Sequence, residues 1–323
     1  MFGSAEEQYV TPGESDRARV VVLGGTGFVG RHVCAALLGE GGDVVAVSRQ
    51  AGPGRPGLRP LALDLCRTPP GELAHALTQG RPTVVVNAAG AVWAATEQEM
   101  VTANTELVRR VVDALRRAVR PVRLIHLGSV NEYAPTGHGQ PVDERTPTRP
   151  TTAYGRTKLQ GTELVLHAAR RGDLDALVLR MANVAGPGSP PASLLGRVAH
   201  ELRLAHVEGR AAEIRLTPLR AERDFVDARD AATAVLTAAR SRVGGRVLNI
   251  GSGEAVAVRA LVDLLIKVSG VPAHVVEEPV DGAGGVRPER LEVDIRLARE
   301  LLGWSPRRRL EDAVSDLWRA LDE

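Results

Sequence analysis

Cysteine, lysine and aromatic residues are all scarce in these 323 residues, and each scarcity removes a class of protein. The two cysteines, Cys34 and Cys66, lie far apart and have no histidines at ligand spacing. That argues against a disulfide scaffold or a zinc site and suits a reducing, cytoplasmic setting; no metal is expected. No apolar run approaches the roughly 18 residues that span a bilayer. The first 19 residues carry Glu6, Glu7, Glu14 and Asp16 without an apolar stretch, which reads as a disordered tail over 1–17 and not a signal peptide. Excess charge is missing too: 41 Lys and Arg face 39 Asp and Glu, a net +2 with the signs interspersed. Neither nucleic acid nor a membrane surface is an expected partner. With 44% apolar content the chain can bury one large core or two modest ones.

The scarcity of lysine makes one position conspicuous. All but two of the 41 cations are arginine, yet Lys158 follows Tyr154, one of three tyrosines, by four residues. That spacing is one helical turn, so the phenol and the ammonium share a face. Such a pair suggests a tyrosine acid whose pKa is lowered by the neighbouring positive charge.

The first half alternates short apolar runs with helical segments. Strands are expected at Val20–Leu23, Val44–Val47, Leu61–Leu63, Val84–Asn87, Arg123–Gly128 and Ala176–Leu179, and helices near 28–39, 70–79, 96–119 and 153–171. Continuous apolar strands between helices predict a parallel sheet covered on both faces. After Met181 come a Gly/Pro loop, a helix near 193–204 and a polar stretch to Arg223. A strand–helix unit near 225–240 and a strand at Arg246–Ile250 follow. The rest reads as helical segments with a Gly-rich loop at 281–285. The expected division is 18–182 with 225–250 as a nucleotide-binding domain, and 183–224 with 251–323 as a smaller substrate-binding lobe.

Gly24-Gly25-Thr26-Gly27-Phe28-Val29-Gly30 follows the first strand directly and opens an amphipathic helix. Glycines at this spacing give a tight turn and close backbone approach to a pyrophosphate, which the helix N-terminus then attracts. The usual carboxylate for the ribose 2′-OH, about 20 residues on, is replaced by Ser48-Arg49. A hydroxyl and a guanidinium suit a 2′-phosphate, so NADP(H) is the expected cofactor. Asp64, followed by Leu65, is placed either for the adenine edge or as a turn aspartate.

Taken in order, Gly24–Gly30, Asn87-Ala88-Ala89-Gly90, Asn104, Gly128-Ser129, Tyr154–Lys158, Asn183–Pro187, Arg223-Asp224-Phe225-Val226 and Leu302–Pro306 resemble the extended short-chain dehydrogenase/reductase family, in its nucleotide-sugar epimerase, dehydratase and ketoreductase branch. The resemblance runs from about Ala18 to the C-terminus. It implies an α/β fold, a Rossmann doubly wound parallel sheet with a smaller mixed C-terminal substrate-binding lobe. It also implies Tyr154 as general acid/base, Lys158 as its partner and a ribose ligand, and Ser129 as the group orienting the reacting oxygen. Gly24, Thr26, Gly27, Phe28, Val29, Gly30, Asn87, Ala88 and Ala89 would line the cofactor. Asn104 is either part of a proton relay or a solvent-facing helix residue, and Trp93 either walls the pocket or simply packs. Asn131, Tyr133, Asn183, Arg223 and Arg287 are the further substrate candidates, the last three for a diphosphate. His126, inside an apolar run, reads as a core histidine. Relatives pair the helices equivalent to 96–119 and 153–171 into a homodimer.

Departures from the family pattern narrow the chemistry. The acidic pair that dehydratases carry after the Ser129 position is Val130-Asn131 here, which disfavours elimination of water. The cofactor signal at Ser48-Arg49 favours net reduction over epimerisation, with epimerase as the alternative. The leading expectation is an NADPH-dependent ketoreductase acting on a nucleotide-activated keto-sugar, a 4-keto-6-deoxyhexose above all. A ketone on a polyketide or other aglycone is the other substrate class. The arginine bias points to a GC-rich genome, such as an actinomycete's, where such enzymes build sugars for natural products. A non-catalytic NADP-binding regulator is the alternative from another class, and such proteins often lose the Tyr/Lys pair kept here.

Overall fold

The structure is a computed structural model that describes residues 19–92, 95–134, 140–278 and 290–321. Trp93, Arg287, the loop at 281–285 and the tail at 1–17 lie outside the described residues. Its first part runs β1 (Arg19–Leu23), α1 (Phe28–Gly39), β2 (Asp43–Ser48), β3 (Leu58–Ala62), α2 (Pro70–Thr78) and β4 (Val84–Asn87). Then come α3 (Glu97–Val101), α4 (Leu107–Arg116), β5 (Arg123–Ser129), α5 (Ala153–Arg170) and β6 (Ala176–Met181). These strands, with β10 below, form one parallel sheet in the order β10-β6-β5-β4-β1-β2-β3.

Both faces of that sheet are covered, which is why its strands are apolar without alternation. On β1, Val20 and Val22 pack against α1, while Val21 and Leu23 join α2, α4 and α5. Because β1 has β2 on one side and β4 on the other, the strand order reverses there, and a crevice opens at the carboxyl ends.

Beyond β6 the chain forms β7 (Asn183–Ala185), α6 (Leu194–Glu208), β8 (Ala212–Leu216), β9 (Glu222–Asp227), α7 (Ala228–Arg240) and β10 (Val247–Ile250). It closes with β11 (Ala255–Ala257), α8 (Val258–Ser269), β12 (Ala273–Glu277), β13 (Arg290–Leu291), α9 (Arg296–Leu302) and α10 (Leu310–Arg319). Two small sheets result, one with β7, β11 and β13 around β9 and one pairing β12 with β8. Among the described residues no helix is long and apolar enough to cross a membrane.

Three sequence expectations are corrected. The third strand starts at Leu58, not Leu61, and includes Pro60. It is an edge strand, where a missing N–H can face outward. The helix expected over 96–119 is broken by a π turn at Thr102–Glu106 between α3 and α4. The polar stretch before Arg223 hides β8, whose Ala212, Ile214 and Leu216 are buried while Glu213 and Arg215 are exposed; the supposedly all-helical remainder likewise contains β11, β12 and β13.

The segment after α9 is tied down by Asp230 on α7. Its buried carboxylate accepts from Arg307 N at 2.8 Å, Arg308 N at 2.7 Å and the Arg308 guanidinium at 2.8 Å. Trp304 is buried beside it, its indole N–H donating to the Asp230 carbonyl. Asp230→Ala strands two backbone donors and a guanidinium, so it lowers unfolding free energy by about 3 kcal/mol. Urea denaturation with an unchanged midpoint would refute this.

Candidate active site

The glycine turn is built so that side chains cannot enter it. Gly24 has φ +73°, and a Cβ there would lie 3.0 Å from the backbone of Ala88 and Ala89. A Cβ on Gly30 would stand 2.0 Å from the Gly24 carbonyl oxygen. Turn and helix can therefore close together only as glycines. The N-cap of α1 is Gly27, which offers no side-chain acceptor to the first-turn amides. Thr26 and Gly27 are exposed, with Phe28 and Val29 half-buried. This cradle fits a pyrophosphate laid on a helix N-terminus.

Around it, Asn87 at the end of β4 accepts from Ala89 N at 3.2 Å and meets Nδ1 of His126 at 3.2 Å. His126 is fully buried, and burial together with the Lys158 charge holds it well below the usual histidine range. It is a neutral core residue, as expected. On the adenine side, Ser48 donates to the Gln50 carbonyl at 2.6 Å and Arg49 is exposed. Asp64 caps its own turn, accepting from Cys66 N at 2.9 Å and Arg67 N at 3.2 Å, and Leu65 is buried. The turn reading of Asp64 thus has a direct observation behind it.

The reacting end joins β5 to α5. Thr152 caps α5 by accepting from Gly155 N at 3.0 Å. A Cβ on Gly155 would sit 2.2 Å from the Asn131 carbonyl oxygen. Its absence lets the first helical turn press against the strand end. Tyr154 is thereby brought beside the Ser129 side chain. The Ser129 oxygen accepts from the backbone N and side-chain amide of Asn131, both at 3.2 Å. One turn later Lys158, 6% exposed, donates to the Leu127 carbonyl.

One electrostatic expectation changes. Burial is the largest influence on Tyr154 and pushes its phenol up to about 12, the Ser129 hydrogen bond pulling down and the Glu132 charge pushing further up. The Lys158 ammonium is not among the influences on it and donates instead to the Leu127 carbonyl. Burial also lowers Lys158, with Glu132 opposing.

Asn104 faces inward, not to solvent: it is 1% exposed on the π turn. Its amide donates to Ala91 O at 2.8 Å and Thr157 Oγ1 at 3.1 Å, and its Oδ1 accepts from Ala91 N at 2.9 Å. Such π turns recur at functional sites, and this one ties the loop after β4 to α5. Tyr133 is not a pocket wall. It is 4% exposed, its hydroxyl donates to Asn249 at 2.6 Å, and the Arg180 guanidinium lies 4.6 Å over its ring. Asn183 donates to the Asp224 carbonyl at 2.9 Å, which holds β7 to β9, and Arg223 donates to Glu222 O at 2.8 Å. Both are half-buried, Asn183 on β7 and Arg223 on β9.

Sequence reasoning missed Glu132. Its carboxylate is fully buried between Ser129, Thr162 and Arg180. The signal was present as Ser129-x-x-Glu132, the pattern of a reciprocal capping box, which the short helical turn at Val130–Glu132 forms.

With this arrangement established, comparison places the chain among known proteins. It is 44% identical over 306 residues to dTDP-6-deoxy-L-talose 4-dehydrogenase (NAD(P)(+)) of Kitasatospora kifunensis, covering 94% of this chain and 95% of the relative. It is 30% identical over 318 residues to putative GDP-L-fucose synthase 2 of Oryza sativa subsp. japonica, covering 94% and 86%. The structure of MoeE5 in complex with UDP-glucuronic acid and NAD matches with a TM-score of 0.80 at 28% identity, covering 94% and 99%. Residues 20–251, from the first strand to the end of β10, match the NAD dependent epimerase/dehydratase family. The chain therefore belongs to that family of extended short-chain dehydrogenase/reductase enzymes.

Proposed function

We propose that this chain is an NADPH-dependent ketoreductase that interconverts a keto group and a hydroxyl on a nucleotide-activated 6-deoxyhexose, at carbon 4. The observation that carries the reaction type is the acid set without an elimination partner. Tyr154 lies beside Ser129 one helical turn from a buried Lys158, while Val130 is buried and Asn131 holds the Ser129 oxygen. Support for the substrate class is the long 44% likeness to a deoxysugar 4-dehydrogenase. Asn183 and Arg223, with Asn131 nearer the reacting centre, are the residues assigned to the substrate in the lobe formed by 183–224 and 251–323.

When bound, the nicotinamide supplies or accepts hydride. The glycine turn and α1 would hold its pyrophosphate, and Lys158 its ribose. Ser129 orients the carbonyl oxygen, and Tyr154 gives that oxygen its proton. We also propose a cytoplasmic homodimer through α4 and α5, serving natural-product sugar assembly.

A panel of nucleotide keto-sugars and aglycone ketones, assayed for NADPH and NADH oxidation, tests the reading. Stoichiometric NADPH oxidation with a 4-keto-6-deoxyhexose nucleotide is expected. Turnover of aromatic ketones alone, or sugar epimerisation without net NADPH consumption, would sink it. Arg49 tests the cofactor half: Arg49→Ala raises KM for NADPH about tenfold and leaves NADH unchanged, as expected for a lost guanidinium–phosphate pair. An unaltered NADPH/NADH ratio removes Arg49 as the selector.

A further inference from the structure

The last three residues of β5 are held by two side chains from outside the strand. Lys158 donates to the Leu127 carbonyl. Glu132, folded back over Gly128, accepts from Ser129 N at 2.7 Å. Gly128 makes this possible, since a Cβ there would stand 2.7 Å from Glu132 Oε1. The same oxygen accepts from Thr162 Oγ1 at 3.0 Å, and Oε2 accepts from Arg180 Nε on β6 at 2.7 Å. Thr162 lies one helical turn beyond Lys158 on α5, so carboxylate and ammonium address the same strand end from one helix face.

We propose that Glu132 is a positioning residue of this site, holding the Ser129 amide while Lys158 holds the Leu127 carbonyl, so that carboxylate and ammonium together fix the strand end. A buried ammonium far from any anion sheds its proton. The groups facing this spot are Ser129 and His126 on β5, Tyr154, Lys158 and Thr162 on α5, and Arg180 on β6. His126 is neutral, and the Arg180 guanidinium is directed to the other carboxylate oxygen and the Tyr133 ring. Glu132 is therefore the anion in the set, and it opposes the fall that burial imposes on Lys158. It touches no substrate and acts through Ser129 and Lys158. This inference rests on the proposed reductase reading for its kinetic arm only.

The near-absence of lysine makes the test direct. Isotope-labelled lysine gives two side-chain resonances in the full-length protein, and Lys267→Arg assigns Lys158. In Glu132→Gln, Lys158 is expected to titrate at lower pH than in the wild type. kcat for reduction should fall about tenfold with KM within about twofold, as for an interaction made through the reacting groups. Because one half of a buried ion pair is removed, the double variant Glu132→Leu/Arg180→Met is measured alongside; it restores charge balance in an apolar form. The same downward shift of Lys158 in whichever variant folds supports the proposal. A wild-type Lys158 titration in either folded variant overturns it. If the wild type reduces no keto-sugar but Lys158 still shifts, the reductase reading fails and the role of Glu132 in holding the ammonium stands.

Discussion

Tyr154→Phe lowers kcat for carbonyl reduction by a factor of about 10²–10⁴, the span attached to a positioned general acid. Cofactor affinity should stay within about twofold, because the ring and its packing survive the loss of one oxygen. In the proposed reaction the phenol is the proton source: it lies beside Ser129, and that serine is fixed in turn by Asn131 and Glu132. Burial sets the direction of its acidity. Tyrosinate at this half-buried position against the end of β5 is unfavourable, and the phenol is pushed up to about 12. An acid with a raised pKa keeps its proton below that value, so reduction loses nothing to Tyr154 ionisation at ordinary pH. The variant therefore depresses the whole pH–rate profile without moving its basic limb. Stopped-flow measurement of NADPH oxidation against pH checks both statements. A phenylalanine variant that keeps a third of wild-type kcat would remove Tyr154 from the chemistry.

Much of this site was legible because it is local. A phosphate-binding turn needs glycines at fixed spacing, and Gly24 and Gly30 announce it before any tertiary contact is known. Tyr154 and Lys158 share a helical turn and need only one helix to meet. What escaped reading is settled by distant partners. Nothing near Tyr133 in sequence says that its hydroxyl will find Asn249, 116 residues on. Asn104 reads as a helix residue of either face until the π turn rotates it inward. The direction of the Tyr154 pKa depends on how far the half-buried ring is desolvated, a property of packing that no spacing encodes. Beyond Met181 the strands β9 and β10 were legible, but β7, β8, β11, β12 and β13 were not, for another reason. Each of these is two to five residues long, and among the described residues β8 and β12 pair only with each other, so the local signal is weak. The alternation in β8 was readable, but a run of charged residues around it masked the period.

Lys158→Arg is expected to cut kcat/KM by about 10²-fold or more, although the charge is preserved. A chain that uses arginine almost everywhere has lysine at this one buried point, and the geometry gives a reason. The ammonium of Lys158, a residue 6% exposed, lies between β5 and α5 and donates a hydrogen bond to the Leu127 carbonyl. A guanidinium is planar and broader, carries five N–H donors, and would bring unsatisfied donors into that space or displace α5 from the strand end. A displacement of about 1 Å at a reacting pair costs about 10²-fold. The pH profile separates this from a simple loss of charge. Burial lowers the Lys158 pKa while Glu132 raises it, with burial the larger. The charged form is therefore present at low pH and is lost as pH rises through a value below the ordinary lysine range. Wild-type reduction should decline along that basic limb. The arginine variant, which stays protonated throughout, should be slow at every pH and show no such limb. Both variants are best compared over a range bounded by folded-state circular dichroism, so that alkaline unfolding is not read as titration. An arginine variant with wild-type kcat/KM would show that charge alone is needed, and that the lone buried lysine is an accident of composition.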